Sequence, residues 1–197
     1  MKVAIIGKGH VGKALGSGLE RAGYEIRYGH RDLNEKPQMA AEWGEMAILA
    51  VPYHQLDNVV ESIGSLLRGK IVIDATNLYG ADGKPIAYSN TSGAEKLQRK
   101  LPESKVIKAF NTVFAQNQST GHIGDEQLTG FVAGDDADAK KVVMGLMTAL
   151  GYDPVDSGSL KSAKYLEEMG IHITNLAIVQ GMYIRLLPAR YWFSFLL

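Results

Sequence analysis

Short apolar runs alternate with stretches of helical period along almost the whole chain. Val3–Ile6, Tyr24–Tyr28, Met46–Val51, Lys70–Ala75, Lys105–Phe110, Gly130–Gly134 and Tyr152–Asp156 read as strands bounded by Gly, Pro, Asn or Asp. Between them, Val11, Ala14, Leu15, Leu19 and Ala22 recur at helical spacing, and Leu56, Val59, Val60, Ile63, Leu66 and Leu67 form one apolar helix face that Gly69 stops. Ser92-Gly93-Ala94-Glu95 is a capping box and predicts a helix over Gly93–Lys100. Asp135, Asp136 and Asp138 open a helix that runs to Leu150. Carboxylates suit a helix N-terminus, so these acids read as capping charges rather than as a metal site. From Leu160 one long helical pattern passes through Leu166, Met169, Ile173, Leu176, Val179 and Tyr183 until Pro188. Pro154 cannot donate to a ladder, which makes Tyr152–Asp156 an edge strand. Repeated strand–helix–strand units of this kind predict an α/β, Rossmann-type doubly wound parallel sheet with a long C-terminal helix. The expected division is a nucleotide-binding domain over 1–158 and a helix with an apolar tail over 159–197.

The first strand breaks into Gly7-x-Gly9-x-x-Gly12 and then becomes helical. Gly7 permits the turn, Gly9 lets a pyrophosphate approach the backbone, and Gly12 lets helix and strand pack closely. The free N–H groups and positive dipole end of the helix face the phosphates. The end of the second strand then bears on which dinucleotide fits. An acidic residue there binds the ribose hydroxyls of NAD, and an arginine accommodates the 2′-phosphate of NADP. Asp32 lies 20 residues after Gly12 and keeps NAD open by counting. The strand YEIRY ends at Tyr28 or Gly29, however, so His30 and Arg31 take the strand-end positions. A guanidinium fork beside a second cation is a phosphate-binding arrangement, which favours NADP(H), with Lys36 as a further available charge. The stretch Asn34–Glu45 has room for only one or two helical turns, Pro37–Trp43. The full helix and extra strand usual in this position are therefore expected to be missing.

Open α/β sheets bind ligands beyond the carboxyl ends of their strands, and polar residues recur there. Pro52 lacks an N–H and lets backbone lie flat beside a nicotinamide or ribose. His54 fits a substrate contact or a helix cap equally well. Asn77 fits an amide contact to ribose or carboxamide, or an Asx-turn. Asn111 and Thr112 follow the fifth strand. The Gly-, Asp-, Ser- and Asn-rich stretch Tyr79–Thr91 is long enough to form a lid or rim.

Lys plus Arg and Asp plus Glu number 21 each, so no long-range field draws nucleic acid or an anionic membrane. Without cysteine there is no disulfide, thiolate catalysis or Cys-ligated metal. A reducing, cytoplasmic setting is expected on that ground. A strand beginning at Lys2 leaves no room for a signal peptide, and Ile171–Leu187 is too short and too polar to span a bilayer. Five scattered histidines lack ligand spacing, and no nucleophile elbow, Walker motif or HExxH is present. Hydroxy-acid oxidation needs a positioned acid or base, whereas hydride transfer between two heterocycles needs mainly ring alignment. The residues fit the second chemistry better. A β-hydroxyacid dehydrogenase or imine reductase would share the N-terminal half, with Lys164 as its lysine, but too few residues follow Gly158 for its usual helical domain. A non-enzymatic NADP sensor is the other alternative.

GKGHVGKAL, GHRD, ILAVPYH, IVIDATN, SGAEKLQRKLP, VIKAFNT, FVAGDDADAKK and PVDSGSLKSAKYLEEM together resemble the deazaflavin-dependent NADP oxidoreductases, whose second substrate is coenzyme F420. The oxidoreductase domain of the STEAP metalloreductases is similar. The resemblance implies that Gly7, Lys8, Gly9, His10, Val11 and Gly12 hold the pyrophosphate and that His30 with Arg31 holds the 2′-phosphate. Val51, Pro52 and Asn77 would border ribose and nicotinamide, with His54, Asn111 and Thr112 facing a flavin or deazaflavin acceptor. It also implies a homodimer through the C-terminal helix, for which the apolar tail Tyr191–Leu197 is suited.

Overall fold

The computed structural model describes residues 1–32, 34–86 and 90–179. β1 (Lys2–Ile6) enters the glycine turn and α1 (His10–Arg21) carries the chain back to β2 (Glu25–Gly29). α2 (Pro37–Trp43) leads to β3 (Met46–Leu49), and a tight 3-10 turn at Tyr53–Gln55 opens α3 (Leu56–Ile63). β4 (Ile71–Asp74), α4 (Gly93–Lys100) and β5 (Lys105–Ala109) follow. A one-turn helix α5 (Ala115–Gln118) and a small hairpin of β6 (His122–Ile123) and β7 (Glu126–Gln127) precede β8 (Thr129–Gly134). α6 (Ala137–Ala149), β9 (Asp153–Asp156) and α7 (Ala163–Thr174) complete the order, and α7 continues as a π-helical stretch, Asn175–Val179.

The main sheet has the order β2-β1-β3-β4-β5-β8-β9. β1 pairs with β2 on one side and β3 on the other, so the chain reverses its direction of travel at β1, where the glycine turn begins. Among the described residues no strand lies outside β2, which agrees with the brevity of Asn34–Glu45. Alternate residues of each strand serve two cores. Val3, Ile5, Ile48 and Ile107 pack under α1 and α6 with Leu15, Leu19, Val143 and Leu146. Ala4, Ile6, Leu49, Val72 and Val106 pack under α2, α3 and α4 with Ala40, Leu56, Val60, Ile63 and Leu97.

The sheet is the expected doubly wound, mostly parallel one, with a single antiparallel pairing. β1 to β5 are parallel, but β8 runs antiparallel to β5, with Ile107 opposite Gly134, and β9 is parallel to β8. A parallel connection requires an element that returns the chain to the far end of the sheet. Residues 110–128 contain only α5 and the β6–β7 hairpin, so the chain enters β8 at the end where β5 leaves off. Pro154 sits in the outermost strand, where its missing N–H costs no ladder bond.

Side chains cap the N-termini of α4 and α6. Ser92 Oγ accepts from Glu95 N–H at 3.0 Å while Ser92 N–H donates to the Glu95 carboxylate at 2.8 Å. Asp136 accepts from Ala139 N–H at 2.8 Å and pairs with Lys105, which together hold its carboxyl below the usual range. Asp135 instead accepts from Leu160 N–H, joining the start of α6 to the approach to α7. Among the described residues no helix is long and apolar enough to cross a membrane. Tyr183, Pro188 and the tail Tyr191–Leu197 lie outside the described residues, as does the middle of the expected rim, 87–89. The described start of that rim folds back on itself through a Tyr79–Pro85 bridge.

Candidate functional site

The glycine turn is fixed by two contacts that exclude any side chain. At Gly7, φ is +112°, and a Cβ there would lie 2.4 Å from the Ala50 carbonyl oxygen. At Gly12 a Cβ would lie 2.0 Å from the Gly7 carbonyl oxygen, so the first turn of α1 rests directly on the strand end. Gly9 differs. Nothing stands within 4 Å of the position its Cβ would take, and Gly9 caps α1 without a side-chain bond to the helix N-terminus. No acidic residue occupies the first turn. The first N–H groups of α1 therefore face open space beside a bare backbone, the donor set an anionic pyrophosphate requires. This fits a dinucleotide, and Gly7 to Gly12 are the residues that would hold it.

The same concavity, about 280 Å³, is lined by Gly7, Lys8, Gly9, Gly29, His30, Arg31, Ala50, Val51, Pro52 and Gln55. Gly29 must be small, because a Cβ would strike Pro37 at 2.7 Å, and its carbonyl accepts from Gly7 N–H. β2 thus delivers His30 and Arg31 to the rim. Arg31 is exposed and makes no ion pair among the described residues. Asp32, the acidic alternative, is engaged in its own turn, accepting from Asn34 N–H at 2.9 Å. Lys8 Nζ is engaged by Glu35 at 2.5 and 2.7 Å and lies 5.2 Å from the centre of the Tyr28 ring. Lys36, the other charge considered, is exposed where α2 begins.

Farther along the strand ends the chemistry is sealed. Asp74 and Lys108 are register neighbours on β4 and β5, and both are 0% exposed. Lys108 Nζ donates to the Asp74 carboxylate at 3.0 Å, to the Thr76 carbonyl at 2.6 Å and to Glu167 of α7 at 3.1 Å. Glu167 also accepts from the N–H groups of Gly93 and Ala94, the first residues of α4. Burial pulls the Lys108 ammonium down, but Asp74 and Glu167 outweigh it and hold the group above the usual lysine range. Burial followed by the charges of Glu167 and Asp74 also raises the Tyr53 phenol, beside the mouth.

Asn77 and Asn111 lock together next to this cluster. Asn77 Nδ2 donates to the Asn111 carbonyl at 2.8 Å, while Asn111 Nδ2 donates to Asn77 Oδ1 at 2.8 Å and to the Leu166 carbonyl at 2.7 Å. Gly170 of α7 packs on the pair, and a Cβ there would lie 2.6 Å from Asn77 Oδ1. The preceding residue, Phe110, has φ +65°, a conformation that costs a non-glycine residue about 1–3 kcal/mol. Gln118 holds it by donating to the carbonyls of Phe110 and Val113 at 2.7 and 2.9 Å.

Gly7, Lys8, Gly9, His30, Arg31, Val51 and Pro52 therefore share one concavity, and His10, Val11 and Gly12 form the helix start behind it. Asn77 is half-buried at the end of β4, and its amide closes on Asn111 rather than forming the Asx-turn considered for it. The local turn there belongs to Asp74, whose carboxylate takes Thr76 N–H. His54 is exposed on the 3-10 turn with its ring 3.4 Å from the Gln55 amide. Asn111 is buried behind α7, and Thr112 borders a separate small crevice near Ile123 and Ile173. Sequence reading passed over Asp74, Lys108 and Glu167. The usable signal was an acid and a base set into the buried runs KIVIDA and KVIKAF, which parallel pairing brings side by side.

Comparison with known proteins bears on the family. The profile of a family described as NADP oxidoreductase, coenzyme F420-dependent, matches residues 33–78. Metalloreductase STEAP3 of Rattus norvegicus is 28% identical over 184 residues, covering 87% of this chain and 37% of that protein. The chain thus spans little more than a third of the STEAP metalloreductases it matches. A crystal structure from Arthrobacter sp. FB24, named as a candidate F420-dependent NADP reductase, superposes with a TM-score of 0.84 at 25% identity, covering 92% of this chain and 96% of that one. The F420-dependent NADP reductase of Methanocaldococcus jannaschii is 30% identical over 162 residues, covering 71% of this chain and 72% of its own. With that identity spread over most of both chains, and with the glycine cradle and rim arginine in one concavity, this chain belongs to the coenzyme F420-dependent family of NADP oxidoreductases.

Proposed function

We propose that the protein binds NADPH along the carboxyl edge of its sheet and moves a hydride between that nucleotide and a flavin or deazaflavin-like acceptor. The observation that carries this reading is the shared concavity in which the start of α1, without a side-chain cap, and the exposed Arg31 lie together. When bound, the dihydronicotinamide supplies a hydride, which a flavin-like ring takes up together with one proton from water. The chain supplies position. The α1 N–H groups take the pyrophosphate, His30 and Arg31 take the 2′-phosphate, and Val51 and Pro52 line the path toward Asn77. On this reading the Asn77–Asn111 clasp, tied to the Leu166 carbonyl of α7, forms a fixed wall at the nicotinamide end, which is what alignment of two rings demands.

An apolar groove of about 400 Å³ beside α7, lined by Phe131, Tyr165, Leu166 and Met169, is the surface on which we place a second copy of the chain. Tyr165 stands 59% exposed there.

Anaerobic oxidation of NADPH and of NADH, followed against FMN, FAD, riboflavin, coenzyme F420 and ferric chelates, tests the reading. Turnover with a flavin or deazaflavin and preference for NADPH is expected. Arg31→Ala should weaken NADPH by about 1.5–3 kcal/mol, the scale of a hydrogen bond to a charged group, and leave NADH nearly unchanged. Equal losses for both nucleotides would overturn the assignment of Arg31.

A further inference from the structure

Lys8, which lines the dinucleotide cradle, is held in an ion pair by Glu35 of the loop that follows His30 and Arg31. Lys8 occupies the middle of the glycine turn, and its ammonium leans away from the α1 start toward β2, over the Tyr28 ring and onto both carboxylate oxygens of Glu35. Both side chains are about one-third exposed, at 33% and 32%, so the pair is not part of a sealed core. Glu35 is firmly placed. Its carbonyl accepts from His30 N–H and its own N–H donates to the Asp32 carbonyl, so it closes the short turn that presents Arg31. The result is a carboxylate fixed beside the corner where His30 and Arg31 gather, in a position to repel a phosphate and to occupy a cation that phosphate would use.

We propose that Glu35 is a built-in counter-ion for Lys8 that a 2′-phosphate displaces, so that this pair sets how strongly NADP(H) is favoured over NAD(H). The inference rests on the reading that the 2′-phosphate binds beside His30 and Arg31. A phosphate carrying close to two negative charges outcompetes one carboxylate for a partly exposed ammonium, which is a point charge with freely rotating donors. The uncharged 2′-hydroxyl of NAD leaves the pair closed. A partly exposed pair of this kind is weak enough to open on binding, and Lys8 needs only a change of rotamer to do so.

Calorimetric titration of the full chain with NADP+ and NAD+ tests this without turnover. Glu35→Gln, which frees Lys8 and removes the repelling charge, should tighten NADP+ by about three- to tenfold and change NAD+ by less than about twofold. Lys8→Met should weaken NADP+, and in the double variant the gain from Glu35→Gln should shrink because its cation is gone. Glu35→Asp, which keeps the charge, should bind NADP+ nearly as the parent does. The proposal is overturned if Glu35→Gln leaves NADP+ unchanged, weakens it, or tightens both nucleotides alike. Parallel titration of Arg31→Ala separates the two claims. A parent preference for NADP+ that Arg31→Ala abolishes and Glu35→Gln leaves untouched removes the role of Glu35 alone. A parent without that preference removes both.

Discussion

Lys8 and Lys108 both hold carboxylates at the carboxyl edge of the same sheet, about half a sheet apart, and they are built on opposite principles. Lys8 has one partner, Glu35, on a loop at the rim, and both are open to water. Lys108 has two, Asp74 from the neighbouring strand and Glu167 from α7, and water reaches none of them. The first pair can trade its carboxylate for a ligand anion at little expense. The second cannot. Its formal charge of minus one is balanced by the α4 N-terminus, whose Gly93 and Ala94 N–H groups donate to Glu167. One end of the groove thus keeps its charges exchangeable for recognition, and the other commits them to holding α7 against β4 and β5.

Removing Lys108 is the strongest way to break that contrast. Lys108→Met strands two buried carboxylates and should destabilise the fold by about 3–5 kcal/mol in denaturant titration. Glu167→Gln leaves the Lys108–Asp74 pair neutral and strands no charge, so it should cost less than Lys108→Met, although its NH2 replaces one of the two oxygens that now accept separately from Gly93 and Ala94 N–H. Lys8→Met, removing a lysine of the same type at the open end, should change stability by no more than about 1 kcal/mol. A loss for Lys108→Met as small as that for Lys8→Met would show that the buried cluster is not the keystone of the far end.

Gly170→Ala is expected to have the next largest effect. A methyl at Gly170 meets the Asn77 amide at 2.6 and 2.9 Å and the Asn111 carbonyl at 2.8 Å, in a corner where nothing is free to yield. Overpacking of this sort costs about 1–3 kcal/mol. Because the displaced groups are the proposed wall of the nicotinamide end, NADPH oxidation should slow by more than coenzyme binding weakens. Unchanged turnover in a variant of lowered stability would separate the clasp from the reaction.

The two ends also differ in how far the amino-acid sequence discloses them. The glycine end is legible because its chemistry is local. Gly7, Gly9 and Gly12 fall within six residues, and the strand that presents Arg31 follows the same helix. The capping box at Ser92 and the edge position of Pro154 are local in the same sense. The far end is not, because Asp74, Lys108 and Glu167 lie 34 and 59 residues apart in succession and meet only through strand register and the packing of α7. Glu167 looks no different from Glu168 in YLEEM; only the fold sends one of them inward. Strand direction is illegible for a related reason. The apolar pattern of β8 marks a strand equally well in either sense, and the antiparallel entry is decided by what residues 110–128 fail to form. Lys8 belongs by sequence to the glycine turn, but its pairing with Glu35 depends on a loop 27 residues away.

The smallest effect belongs to Tyr152. Among the described residues the buried side-chain atoms without a hydrogen-bond partner are Asn111 Oδ1, Gln118 Oε1 and the Tyr152 hydroxyl, all around the end of β5. Tyr152 packs edge-on against Phe110, with ring centres 6.1 Å apart, beneath the strained residue that leads into the clasp. With no protein partner for its hydroxyl among the described residues, Tyr152→Phe should stabilise the protein by about 1 kcal/mol. The sign of the pH response follows from the same burial, which raises the phenol above its ordinary value. A group bound more tightly to its proton in the folded state contributes stability below its unfolded value, near pH 10, and loses that contribution as the pH climbs further. Parent protein should therefore weaken above about pH 10, and Tyr152→Phe should flatten that decline while leaving the part due to Lys108, whose shift has the same sign. A destabilised Phe variant, or an alkaline limb that it leaves unaltered, would mean that the hydroxyl has a partner after all and that the far end is better satisfied than its orphaned atoms indicate.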